Sequence, residues 1–344
     1  MHWVGSKYIA PELEQRPLLE VAKSSVDEAE ARSANGFTVQ AMVVLMVALD
    51  GAGYQQQAID LLGRAKRMLF SLGMNYNQFL IESETRSSCL DESWRRTWWE
   101  LYVLDAMFAG AHRSTNFSLF DVPTDVGLPC EEDEYAINQI PEPRTVQDFN
   151  DRDFAMDSRQ FSSFTYRILS AQNLGRVMRS FEAAEVDDNM HAQLEMLLAS
   201  WRHNLPDSKR DSLQRDGRPD ELATHRTPLV RHTHFFICAV VLASIVQLSA
   251  WSSSSEGRAE EDESVVREQV RLCIGTLRQM ATVWDTASRA LGQVREVAAR
   301  VHGWRAHSRQ MEQFLVHVTE EDMLNIFADD MTATTTLADM ETTV

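Results

Sequence analysis

The chain has only four cysteines in 344 residues, Cys89, Cys130, Cys238 and Cys273, and no two form a Cys-x-x-Cys pair. A structural zinc module closes small chelate rings from closely spaced ligands, so none can be built locally here. The same scarcity, with no signal peptide at the start, leads to the expectation of a reducing, intracellular compartment in which the thiols stay free and serve packing. Basic residues are also few, 33 Lys and Arg against 51 Asp and Glu, for a net charge of −18. Such a chain repels a phosphate backbone on average, so DNA binding by this chain alone is disfavoured. Long hydrophobic runs are missing too. The longest, Phe235 to Trp251, falls short of the roughly 20 residues that span a bilayer. It contains Ser244, Gln247 and Ser249 and reads as a buried helix, so no membrane association is expected.

The chemistry of catalysis is equally thin. No Gly-x-Ser-x-Gly elbow, phosphate-cradling glycine loop or dinucleotide fingerprint is present, and Gly51-Ala52-Gly53 is a lone turn between helices. His232 and His234 are two apart on a helix and point in different directions, His302 and His307 are five apart, and there is no His-Glu-x-x-His. The acidic pairs Asp187-Asp188 and Asp329-Asp330 lack the second turn of carboxylates that a helical magnesium site needs, and solvated helix ends explain them better. The expectation is therefore a non-enzyme with no catalytic residue, no metal and no cofactor.

What the chain does have is helical periodicity. Val39 to Leu49 is apolar on nearly every side, as a helix buried all round would be. After the glycines, Ala58 to Leu72 places Ala58, Leu61, Leu62, Ala65, Met68, Leu69 and Leu72 on one side, which predicts a helical hairpin. A third helix is predicted to begin near Ser88 to Asp91, with Ser88 as its cap. From Trp94 its apolar positions fall at 94, 98, 101, 104 and 108, one stripe at three-and-four spacing. Arg95, Arg96, Glu100 and Asp105 lie off or at the edge of that stripe, so the helix reads as amphipathic and core-facing. Arg96 and Glu100 have the spacing of an intrahelical pair. Asp105 borders the buried stripe, where an unpaired carboxylate is costly, and an arginine partner is expected. Trp99 is turned about 100° from Trp98 and must face another helix or a cavity. If a small-molecule pocket exists, Trp99 and Tyr102 are the residues expected to wall it. Arg95 and Arg96 could meet an anion, although a salt bridge holding the helix in the bundle is favoured.

Beyond that helix the pattern dissolves from 113 to 157 into prolines and the acidic run Glu131 to Glu134, which predicts a long irregular loop. Helical periodicity resumes at Ser158 to Phe181, Asn189 to His203, Leu229 to Trp251 and Val265 to about His317, with a solvated linker at 252 to 263. Residues 319 to 344 hold no basic residue and mix acidic positions with Met323, Leu324, Ile326 and Phe327, the composition of a disordered acidic tail. The fold class expected is all-α, a multi-helix bundle of antiparallel helix pairs over residues 1 to 318.

The tryptophan-rich helix and the turn after it resemble the fungal-specific transcription factor domain, the regulatory middle homology region of fungal zinc-cluster transcription factors. In that family an Arg-Arg-x-x-Trp-Trp-x-x-Tyr/Leu-x-x-Asp helix precedes an Asp-x-x-Leu-Pro turn. Arg95, Arg96, Trp98, Trp99, Leu101, Tyr102 and Asp105 match the helix, and Asp125, Leu128 and Pro129 match the turn. Val39 to Gly53 and Ala58 to Met74 resemble the two helices that come before, so Tyr8 to Pro129 is covered closely. The family's usual Gly-Arg-Pro is replaced by Ala111-His112-Arg113-Ser114-Thr115. The resemblance implies action in the nucleus on a metabolic gene set, secondary-metabolite genes included. It also implies control through protein partners, a DNA-binding transcription factor or the transcription machinery, or through a small-molecule effector. Without the zinc cluster, either a partner holds the DNA or a DNA-binding module lies upstream of Met1. The other function class compatible with the sequence is a cytoplasmic all-α protein-binding scaffold, but no 34-residue repeat recurs to support it.

Overall fold

Every regular element among the described residues is a helix. These residues are 2–9, 14–79, 87–112, 114, 116–152, 160–180, 188–203, 205–206, 233–253 and 260–306 of a computed structural model. The expected all-α class is therefore the observed one. In chain order the helices are α1 (His2–Ile9), α2 (Gln15–Arg32), α3 (Gly36–Gly51), α4 (Gln55–Leu72), α5 (Ser88–Ala111), α6 (Glu132–Ala136), α7 (Val146–Asn150), α8 (Ser163–Ser180), α9 (Asp188–His203), α10 (Phe236–Ser253), α11 (Glu260–Met280) and α12 (Asp285–Ala306). The contacts divide the chain into two compact units, one holding nearly everything up to His232 and the other running on from Thr233.

In the first unit, α3 starts where Asn35 Oδ1 accepts the Thr38 amide at 2.9 Å, a side-chain cap that satisfies an otherwise orphaned donor. It buries Val39, Met42, Leu45, Met46 and Leu49, as its apolar composition requires. Helix α4 buries the stripe from Ala58 to Leu69. It stops at Gly73, whose φ of 70° is left-handed and free of strain only without a Cβ. There the Gly73 and Met74 amides donate to the Phe70 and Leu69 carbonyls at 3.1 Å. Arg64 of α4 donates to Glu30 and Asp27 of α2, while Gln40 of α3 donates to Ser93 and Thr97 of α5 at 2.9 and 2.8 Å.

Three expectations need correction here. Helix α5 begins at the expected place, but Ser87, not Ser88, is its cap residue, and no cap side chain bonds to the helix. The helix is not amphipathic, because from Glu92 to Ala109 it is buried on nearly all sides, Glu92, Arg95 and Asp105 included. The stretch after it, expected as one long irregular loop, is irregular over most of its described length but is neither wholly so nor wholly exposed. It buries Phe117, Leu119, Val126 and Leu128 and carries α6 and α7, each opened by a capping box, Glu131 with Glu134 and Thr145 with Asp148. Hydrogen bonds from the Thr145 amide and hydroxyl hold the Asp148 carboxyl below its ordinary pKa. Helix α8 then packs along α5, and α9 against α8.

In the second unit α10, α11 and α12 pack pairwise. The single helical run expected from Val265 onward is broken at Ala281–Trp284, where the Val283 and Trp284 amides both return to the Met280 carbonyl and Trp284 is buried. No glycine or proline marks this break. Asp285 in the first turn of α12, favourable at a helix N-terminus, is the one local signal. The linker expected at 252 to 263 is partly helical, since α10 runs to Ser253 and α11 starts at Glu260. The acidic tail at 319 to 344, His307, His232, Asp187, Asp329-Asp330, and Arg113 and Thr115 of the altered loop lie outside the described residues.

Candidate functional site

Helix α5 carries six charged residues, and those that are buried reach outward to hold the chain beyond it. Glu92, 1% exposed, is the hub. Its Oε2 accepts from Arg95 Nε at 2.9 Å, and its Oε1 accepts from Arg96 Nε and from the Cys130 amide, each at 3.0 Å. Arg96 extends the network, donating to Glu132 Oε2 at 2.6 Å and to the Cys130 carbonyl at 2.9 Å, with its guanidinium 4.4 Å above the Tyr135 ring. Burial acts to lower the Arg96 pKa, but the Glu132 and Glu92 carboxylates outweigh it and hold the group above its ordinary value. Glu92, Arg95, Arg96 and Glu132 sum to zero charge, which limits the cost of burying Glu92 and the two arginines, while the Glu132 side chain stays nearly half exposed.

One turn along, Trp99 Nε1 donates to the Gly127 carbonyl at 2.8 Å. Position 127 admits only glycine without rearrangement, because an added Cβ would lie 2.6 Å from the Pro143 Cβ. Further on, Asp105, 4% exposed, accepts from Lys66 Nζ at 2.7 Å, the Leu119 amide at 2.9 Å and the Ser118 hydroxyl at 3.0 Å. Its partner is a lysine of α4, not the expected arginine. The expected Arg96–Glu100 pair is not formed either, since Arg96 turns back to Glu92 and Glu100 accepts from Arg167 of α8 at 2.6 Å.

The turn residues are tied in elsewhere. Asp125 Oδ1 accepts the Asn77 amide at 2.6 Å, the Leu128 amide donates to the Arg144 carbonyl at 2.6 Å, and the Pro129 carbonyl accepts the Ser162 hydroxyl at 2.7 Å. A small solvent-open cleft runs beside this turn, between Glu92, Cys130, Pro143 and Phe161. Burial, then the nearby negative charge of Glu92, pushes the Cys130 thiol up to about 12.

Trp98 is completely buried. Trp99 and Tyr102, expected as a pocket wall, are 1% and 3% exposed, with ring centroids 5.5 Å apart, and Tyr102 meets Phe117 at 5.2 Å. Burial raises the Tyr102 phenol to about 12. Sequence reasoning missed Glu92, Lys66 and Glu132. Glu92 stands three and four residues before the two arginines, a legible helical spacing. Lys66 and Glu132 come from distant segments and carry no local signal. Among the described residues no group of three or more His, Cys, Asp or Glu could hold a metal ion, and no helix is long and apolar enough to cross a membrane.

The family model of the fungal specific transcription factor domain matches residues 13–215, more than half of the chain and well beyond the stretch that the motif alone covers. The C6 finger domain transcription factor iacK of Pestalotiopsis fici is 34% identical over 395 aligned positions, which cover 96% of this chain and 58% of that relative. The chain thus spans a little over half the length of the curated relative it matches. No solved structure matches it.

Proposed function

The chain belongs to the family of fungal specific transcription factor domains, and from that premise we propose that it is the regulatory part of a transcription regulator acting in the nucleus. The single observation that carries this proposal is the extent of the family match, residues 13–215, which takes in the whole polar network from Lys66 on α4 through α5 to Arg167 on α8. Such a domain does no chemistry. It supplies a rigid body whose surface or state a partner reads.

DNA contact falls to a protein partner or to a module outside this chain. The relative's name gives it a C6 finger, for which the four scattered cysteines here offer no counterpart. The proposal extends to control of a metabolic gene set, secondary-metabolite genes included, through the transcription machinery and a small-molecule effector. The wall formed by Trp99 and Tyr102 is closed by Gly127 and Phe117, so an effector using it has to displace the turn at 125 to 129. The acidic-hydrophobic stretch at 319 to 344 has the composition that docks into coactivator grooves as a short helix.

Fusing the chain to a heterologous DNA-binding domain, with and without residues 319 to 344, tests the proposal. The full fusion is expected to change reporter output and the shortened one to change it less. Output equal to that of the DNA-binding domain alone in both fusions contradicts a regulatory role, and equal output from the two fusions removes the tail from it.

A further inference from the structure

A second cleft lies away from the network of α5, between α2, α3 and α4. Positions 23, 26, 27 and 30 share one side of α2, and positions 57, 60, 61 and 64 share one side of α4, so the two helices present the cleft walls at three-and-four spacing. The floor is apolar, made of Val26, Leu45, Leu49 and Leu61, all buried in the fold. Lys23, Asp27, Asp60 and Arg64 stand on the rim. The cleft holds about 180 Å³ and is open to solvent. An apolar cavity of about 150 Å³ is room enough for benzene.

The charges of the rim do not balance. Arg64 joins the two helices, its Nε donating to Glu30 at 2.8 Å and its Nη2 to Asp27 at 2.5 Å. Lys23 turns to its own helix and donates to Glu20 at 3.1 Å, with its ammonium 5.6 Å from the centre of the Tyr54 ring. Those two cations serve three carboxylates. Asp60 is a fourth, exposed at the rim, and it accepts from the neutral amide of Gln56 at 2.9 Å. Among the described residues no cation pairs with it.

We propose that this cleft binds a small primary amine with an apolar body the size of one aromatic ring, seated on the leucine and valine floor with its ammonium at Asp60. The ring covers what the floor still shows to water, and the ammonium brings the positive charge that the rim lacks. An anion of the same shape meets the surplus of carboxylates and is disfavoured. Unlike the wall of Trp99 and Tyr102, this cleft is open without any displaced turn. It names an effector chemistry for the regulatory reading and rests on that reading only for its biological meaning.

The test is made on the full 344-residue chain, with no transcriptional readout, so its failure leaves the regulatory proposal standing. Benzylamine, benzyl alcohol and sodium benzoate are titrated at pH 7 and constant ionic strength. The Val26 methyl signals are followed in a ¹³C-methyl spectrum, assigned with Val26→Ile, and thermal midpoints serve as a second readout that needs no variant. Benzylamine is expected to give a saturable shift at about tenfold lower concentration than benzyl alcohol, the contribution of one charge-assisted hydrogen bond, and benzoate the weakest response. Asp60→Asn, at an exposed position where an amide oxygen can still accept from Gln56, is expected to remain folded and to remove that preference. Equal concentrations at half-saturation for the three ligands, a preference for the amine that survives Asp60→Asn, or no saturable shift at Val26 would overturn the proposal.

Discussion

Helices α5 and α10 invert the usual relation between charge and exposure. Helix α5 carries Asp91, Glu92, Arg95, Arg96, Glu100 and Asp105, and it is buried on nearly every side. Helix α10 has no charged residue, yet Leu242 and Val246 are 59% and 54% exposed. The difference lies in where the polar atoms find partners. In α10 the buried Ser244 hydroxyl simply donates to the Val240 carbonyl of its own helix at 2.8 Å. In α5 the carboxylates and guanidinia bond to other segments, to Cys130, Glu132, Leu119 and Lys66. Charge on α5 therefore marks tertiary attachment, and its absence on α10 does not mark a core on every side.

The comparison breaks first if the charges of α5 are dispensable. Glu92→Ala leaves Arg95 without its carboxylate in a buried site and Arg96 with only Glu132, so unfolding in denaturant should show a loss of about 3–5 kcal/mol, the cost of breaking a buried ion pair from one side. A loss below about 1 kcal/mol would return Glu92 to the rank of a surface charge.

The two thiols sharpen the same contrast. Cys130, beside Glu92, has its thiol pushed up to about 12, whereas Cys238 on α10 is exposed. Since the thiolate is the nucleophile, iodoacetamide at pH 8 should alkylate Cys130 at least about tenfold more slowly than Cys238, read by peptide mass spectrometry. For stability, the favoured neutral thiol contributes fully below the reference value of 9.0, and that contribution is lost as pH rises towards about 12. Comparable alkylation rates would remove Cys130 from the buried network.

The smallest effect is expected at α10. Leu242→Lys puts charge on a face that is already wet, and stability should move by no more than about 0.5 kcal/mol in the same denaturant assay. A loss of several kcal/mol would mean that the exposed face is covered in the folded protein.

The helices are legible in the sequence wherever one apolar stripe meets a polar remainder, as in α4, or where apolar residues fill most positions, as in α3. The sequence misleads where charge is equated with exposure. Arg95 and Asp105 read as edge positions because helical periodicity records which side chains are apolar and not which polar ones have found partners. Spacing matches Arg96 to Glu100, but Glu92 at the same spacing on the other side and Glu132 from the next segment hold it instead. Lys66 and Leu119 cannot be placed against Asp105 from sequence, since they lie 39 and 14 residues away and meet it only through the fold. The two short helices after α5 are hidden by their shortness and by the prolines around them, although Thr145 and Asp148 carry the spacing of a capping box.

Amide hydrogen exchange at Leu119 and Cys130 is the most direct test of the claim that α5 holds the segment after it through its buried carboxylates. Both amides lie outside helices, and each donates to a carboxylate of α5, Leu119 to Asp105 and Cys130 to Glu92. In the unmodified chain they should open only with free energies within about 1–2 kcal/mol of those of the α5 backbone itself, as members of one cooperative unit. If they exchange at the rate of exposed loop amides while α5 stays protected, the carboxylates do not hold the segment.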